Sequence, residues 1–197
     1  MGIERGTAYV PVDCRRCGLC EGRTQVVPAE GGRRPLAFFV GEAPGPEEDA
    51  QGRPFVGRAG KILRATLREA GWSDDDVWIT NVVKCFPYEW IDGKKKIRAP
   101  TVAEAASCRE HLRLEVAALK PPLIVALGRT AATALIDDGG ANLAGLRGSV
   151  SPARGDLGGD VFVTYHPSGL HYERGRKEAF ESDLRAALRL AKERRGA

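Results

Sequence analysis

At 197 residues the chain is long enough for one well-buried core and short for two, so a single domain spanning 1–197 is expected. Its 43% hydrophobic and 28% charged composition is that of an ordinary globular protein, and no stretch approaches the ~20 apolar residues of a bilayer span, which excludes membrane insertion. The formal charge of +4 is modest but unevenly placed, with Arg15, Arg16, Arg23, Arg33 and Arg34 in one cluster and Lys94, Lys95, Lys96 and Arg98 in another; such clusters suit a polyanion, or are solvated surface.

The N-terminus has no apolar segment behind its charges, so no secretory signal is expected and a reducing cytoplasm is the expected home. Five cysteines then need a reason other than disulfides. Cys14 and Cys17 form a C-x2-C pair, Cys20 extends it by a further step, and Cys85 and Cys108 lie far downstream. Zinc and an iron-sulfur cluster both accept four thiolates, and the spacing does not choose between them. Either would staple an N-terminal arm, residues 1–35, to the body.

Beyond the arm, four short apolar runs at 36–40, 77–83, 123–127 and 161–165 read as strands. Between and after them, 60–70, 102–119, 129–136 and 177–191 carry helical periodicity. Strands alternating with helices predict an α/β fold, a three-layer sandwich around a four-stranded parallel sheet. Insertions are expected at 26–35, 88–100 and 137–160, and a frayed basic tail at Lys192, Arg194 and Arg195.

Open parallel sheets bind ligands beyond the carboxyl ends of their strands. Polar or glycine-rich turns fall there: Gly41-Glu42-Ala43-Pro44-Gly45, Asn81, Gly128-Arg129-Thr130 and His166-Pro167-Ser168. One cleft should collect them. Taken singly, His166 can merely cap a turn, Phe55 can be core, Asn81 can satisfy local backbone and Gly128-Arg129-Thr130 can start a helix instead of binding phosphate.

Taken together, Gly41 to Asp49, Gly52-Arg53-Pro54-Phe55-Val56-Gly57, Asn81-Val82-Val83-Lys84-Cys85 and His166-Pro167-Ser168 resemble the family 4 uracil-DNA glycosylases, in the same order from Cys14 to about Leu190. The resemblance implies a 4Fe-4S cluster on Cys14, Cys17, Cys85 and Cys108, with Cys20 left over, and uracil-containing DNA, single- or double-stranded, as partner of a monomer. It also implies a base-excision-repair enzyme that flips uracil and hydrolyses its N-glycosidic bond. Uracil leaves as an anion while the sugar passes through an oxocarbenium-like state, so donors are needed at its O2. His166 is the best donor, with turn amides near Glu42 and Ala43 beside it. Asn81 can pair with N3–H and O4, a pattern cytosine frustrates. Phe55 can stack on the base, Glu48 matches the position that guards against thymine's methyl, and Glu42 is the nearest carboxylate to orient water.

For DNA the candidates are Ser168, Leu170 as a wedge or simply a buried leucine, and the loop Lys94, Lys95, Lys96 and Arg98. The segment Gly169 to Arg174 departs from the family's usual pattern. The basic loop looks like that of the uracil-DNA cross-linking subfamily, in which a histidine becomes joined to the sugar; the matching residue here is Arg98, a poor nucleophile. A hydrolytic glycosylase is therefore expected ahead of a covalent or tight uracil-DNA binder, and ahead of a non-catalytic iron-sulfur DNA-binding module.

Overall fold

A computed structural model describes residues 4–5, 9–137, 140, 142–170 and 175–196. In chain order the elements are β1 (Glu4–Arg5), β2 (Glu30–Gly31), β3 (Ala37–Gly41), α1 (Pro46–Gln51), α2 (Arg58–Glu69), β4 (Val77–Asn81), β5 (Tyr88–Ile91), β6 (Lys94–Ile97) and α3 (Val102–Leu119). They continue with β7 (Leu123–Leu127), α4 (Arg129–Leu135), α5 (Leu143–Leu146), β8 (Val150–Pro152), β9 (Asp160–Thr164) and α6 (Arg176–Gly196).

The expected four-stranded parallel sheet is present as β4-β3-β7-β9, all neighbours parallel. It is the centre of a larger sheet, order β1-β2-β4-β3-β7-β9-β8, whose outer pairings are antiparallel. The extra strands come from segments read as arm or insertion, and are two or three residues long, too short to show a period-2 pattern. Strand alternation sorts the central runs onto two faces. Phe38, Val40, Trp78, Ile124, Ala126, Val161 and Val163 pack on α3 and α4 through Leu112, Val116, Ala131 and Leu135. Phe39, Ile79, Leu123, Val125, Leu127 and Phe162 pack on α2 and α6 through Leu63, Leu67, Phe180 and Leu184. Burial on both faces is why these strands read as continuous apolar runs.

Local signals set several boundaries. The side chain of Thr101 accepts from Glu104 N–H while Thr101 N–H donates back to the Glu104 carboxylate, a capping box at the start of α3, and Pro121-Pro122 follow its end. Strand β4 stops at Asn81, short of the expected residue 83, because Val82 and Val83 donate to the carbonyls of Gly41 and Glu42. The expected frayed tail is ordered helix: Arg194 pairs with Asp160 at 2.7 Å and Arg195 donates to the Arg34 carbonyl at 2.9 Å. Among the described residues no helix is long and apolar enough to cross a membrane.

One polar group inside the core has no signature in the sequence pattern. Lys84 Nζ and Glu115 pair at 2.8 Å with both side chains at most 1% exposed, and Lys84 also donates to Thr80 and to the Asn81 carbonyl. The pair locks the turn after β4 to α3. Removing one partner of a buried pair strands the other charge. Glu115→Leu should therefore lower stability in denaturant titrations by about 3–5 kcal/mol, and Lys84→Met with Glu115→Leu should recover most of that loss; a double variant as unstable as the single would show that the stranded charge is not the cause.

Candidate active site

At the carboxyl ends of the central strands lies a cavity of about 360 Å³, lined by Glu42, Ala43, Glu48, Phe55, Asn81, Ile97, His166 and Ser168 among others. Chain order runs from β3 outward to β4, then back across to β7, so the winding reverses beside β3 and opens a crevice there. The parallel register sets Gly41 directly opposite Asn81. A Cβ at Gly41 would collide with the Phe55 ring and stand 2.5 Å from Asn81 Oδ1. Asn81 is 3% exposed, and among the described residues its Oδ1 has no hydrogen-bond partner. A buried acceptor left without a donor costs about 1–3 kcal/mol, so Asn81 favours an occupant of the cavity that brings it a donor.

Phe55 forms one wall, and its backbone is held at φ 53, a left-handed conformation costly for a bulky residue. Three contacts support it. Glu48 accepts from the amides of Val56 at 2.9 Å and Gly57 at 2.8 Å. Arg64 donates to the carbonyls of Pro54 and Phe55, and together with Arg53 pairs with the buried Glu30. Gly60 lies against the Phe55 backbone, where a Cβ would not fit. Glu48 also accepts from Gly45 N–H at 3.0 Å, so this carboxylate ties the turn after β3 to the Phe55 loop.

His166 sits on the opposite side, its ring centroid 6.0 Å from that of Phe55. Its Nδ1 lies 3.2 Å from Ser168 N and 2.7 Å from Ser168 Oγ. A backbone N–H can only donate, so Nδ1 is the acceptor and the neutral ring carries its proton on Nε2. Gly128 makes room for this residue: at φ 87 it has no Cβ, and one would stand 2.8 Å from His166 Cβ. Desolvation holds the imidazole pKa down to about 4. Glu42 accepts from the Thr130 hydroxyl, a role for the Gly128-Arg129-Thr130 turn that the sequence did not suggest. Glu30 and Arg64 were missed as site residues because each acts through a neighbour distant in sequence, and Ile97 because its segment read as an insertion; the Ser168 contact had a local signal, the His-Pro-Ser turn.

The nucleic-acid candidates divide. Lys94, Lys95 and Lys96 are exposed on a two-stranded hairpin, and Ser168 is at the cavity rim. Arg98 is not a spare phosphate ligand: its guanidinium forks onto Glu104 at 2.6 and 2.8 Å and reaches the Tyr88 carbonyl at 3.2 Å, clamping the hairpin base. Leu170 is 7% exposed and part of the core beneath α2 and α6, the buried-leucine alternative to an extended wedge. Residues 171–174, the rest of the departing segment, lie outside the described residues.

Cys14, Cys17, Cys85 and Cys108 surround one small pocket together with Lys84, Arg23 and His111. Cys20 is not among its lining residues. Arg23 Nη1 lies 3.3 Å from Cys85 Sγ, and His111 Nε2 lies 3.3 Å from Cys14 Sγ. Burial raises the thiols of Cys17 and Cys85 and pushes Cys108 up to about 12. Thiolates are thus costly here unless a bound cation compensates them. Among the described residues no three His, Cys, Asp or Glu side chains converge as they would on one ion.

The His166 geometry is directly measurable. Its folded pKa lies below the ordinary 6.5, so the fold disfavours its protonation, and its contribution to stability is full above 6.5 and lost as pH falls toward 4. An NMR titration should show neutral, Nε2-protonated imidazole at pH 7 and a midpoint near 4; a midpoint near 6.5 would contradict the desolvated site.

Known proteins resemble this chain in sequence. The model of the uracil DNA glycosylase superfamily matches residues 28–189. The chain is 43% identical over 162 residues to a type-4 uracil-DNA glycosylase of Thermotoga maritima, covering 80% of this chain and 77% of that one. It is 37% identical over 178 residues to the type-4 enzyme of Archaeoglobus fulgidus, covering 88% and 86%. A type-5 uracil-DNA glycosylase of Pyrobaculum aerophilum is 32% identical over 149 residues, covering 75% of this chain and 60% of that one. With its cavity at the strand ends and relatives of this similarity along most of its length, the chain belongs to the uracil-DNA glycosylase superfamily, in its type-4 branch.

Proposed function

We propose that this protein removes uracil from DNA, taking the extruded nucleotide into the cavity and hydrolysing its N-glycosidic bond to leave an abasic site for base excision repair. The observation that carries the reading is the buried Oδ1 of Asn81, which has no hydrogen-bond partner among the described residues. Uracil N3–H supplies the missing donor, whereas N3 of cytosine has no hydrogen and would leave the acceptor orphaned. Phe55 stacks on the base. Glu48, held by three backbone amides, is a wall that cannot swing aside for a thymine methyl.

As the C1′–N1 bond breaks, its electron pair moves into the uracil ring and negative charge collects on O2. His166 Nε2–H donates there, and the depressed pKa keeps the ring a neutral donor at physiological pH. Glu42, held on one oxygen by Thr130, retains an acceptor oxygen to orient the water that attacks C1′. The water gives a proton to solvent through this carboxylate and its oxygen completes the sugar. Arg98 is occupied by Glu104, which further favours turnover over covalent capture.

The donor set also fits a 4Fe-4S cluster. Four thiols stand around one pocket between the arm and the body, the four-thiolate donor set that such a cluster takes. When bound, the cluster supplies a structural staple, remote from the scissile bond.

With a uracil-containing oligonucleotide, free uracil and alkali-labile sites should exceed enzyme equivalents; a denaturation-resistant adduct limited to one per protein would overturn the hydrolytic reading. In single-turnover assays His166→Ala should slow excision by on the order of 10²–10³-fold with DNA affinity nearly unchanged. Asn81→Asp, which accepts from N3–H but cannot donate to O4, should slow excision and weaken discrimination against cytosine. Cys85→Ala should lose the brown colour and bound iron, while Cys20→Ala keeps both; the opposite pattern would refute the ligand assignment.

A further inference from the structure

We infer that the β5–β6 hairpin is a stacking platform for an unpaired base beside the extruded nucleotide, giving the protein a preference for single-stranded over duplex DNA. This rests on the uracil-excision reading for the identity of the strand in the cavity, and on the hairpin's own geometry for the platform.

Asp92 and Gly93, both at positive φ (52° and 71°), close the hairpin in a two-residue turn. The pairings Tyr88↔Ile97 and Trp90↔Lys95 set these four side chains on one face, and Glu89, Ile91, Lys94 and Lys96 on the other. Trp90 is 64% exposed, whereas Trp72 and Trp78 are 3% and 1% exposed. Of the three tryptophans, Trp90 alone holds its indole in water.

Its neighbours fix the indole without covering it. The Tyr88 ring meets Trp90 edge-on at 5.9 Å, and Lys95 Nζ lies 4.3 Å over Tyr88 while donating to the Gly22 carbonyl at 2.7 Å. The Arg98–Glu104 fork clamps the hairpin base, so the platform is anchored to both the cysteine-bearing arm and α3.

Two features identify the occupant. Lys94, Lys95 and Lys96 outnumber Glu89 and Asp92, so the hairpin carries net positive charge, which suits a phosphate backbone. Ile97, on the Trp90 face, also lines the cavity. Trp90 is one same-face step farther along the hairpin, roughly 7 Å, about the rise of two stacked nucleotides. Stacking on an indole needs a free base face, which single strands offer and a duplex covers with its own neighbours.

The test uses the full chain and uracil-free oligonucleotides, so that no cleavage is needed. Single-stranded DNA should quench the emission of Trp90, and Trp90→Leu should abolish the quench and weaken single-strand affinity about tenfold, leaving duplex affinity within about twofold. Trp90→Phe should retain most of the affinity, and circular dichroism of each variant should match the parent. No quench, or equal losses on single strand and duplex, would overturn the platform. Quenching by a protein that releases no uracil would sink the excision reading and leave the platform standing; excision without quenching would do the reverse.

Discussion

The pocket depends on one buried carboxylate. Glu48 is 8% exposed, and burying a charged group in this way is tolerable only when its oxygens are fully engaged. Here three backbone amides engage them, one from the turn after β3 and two from the loop that carries Phe55. The same contacts close the end of the cavity and hold the strained Phe55 backbone in place. Glu30, buried beside Arg53 and Arg64, carries the load from the other side. The wall against which a base would stack is therefore rigid before any ligand arrives, so less ordering is left to be done on binding.

Against that wall the polar groups are few and specialised. Asn81 carries an acceptor that nothing among the described residues satisfies, and His166 carries a donor whose direction is set by the Ser168 amide. Both follow from backbone placement. The parallel register brings Asn81 opposite Gly41, and two glycines, Gly41 and Gly128, leave the space that Phe55, Asn81 and His166 occupy. Desolvation of the histidine and the orphaned acceptor are two consequences of burial at the same cavity: each is unfavourable in the free protein, and each is relieved by a ligand with complementary N–H and oxygen groups.

The cysteine-bearing segments and the hairpin join the site from outside the sheet. Cys85 and Cys108 flank the hairpin in sequence and meet at one pocket with Cys14 and Cys17. Lys95 on the hairpin reaches Gly22 of the arm, beside the Arg23 that contacts Cys85. The thiol pocket, the arm, the hairpin and the cavity rim at Ile97 are thus mechanically continuous.

Much of this was legible in the linear sequence, for local reasons. Runs buried on both faces must be continuously apolar, so the four central strands were visible, and helical periodicity over 102–119 placed α3. Glycine-rich and polar turns after strands marked the cleft because ligands of such sheets gather there. Tertiary structure alone decided the rest. The edge strands take their identity from the sheet they join, and too few residues contribute to show a period. Glu48 as a three-amide staple, Thr130 as the partner of Glu42, the Lys84–Glu115 pair, the burial of Leu170 and the engagement of Arg98 by Glu104 all join or place groups by three-dimensional packing. Residue type and spacing specify what a side chain can do; which of its possible partners it meets is set by how the elements pack, and that information is carried by no short stretch of the chain.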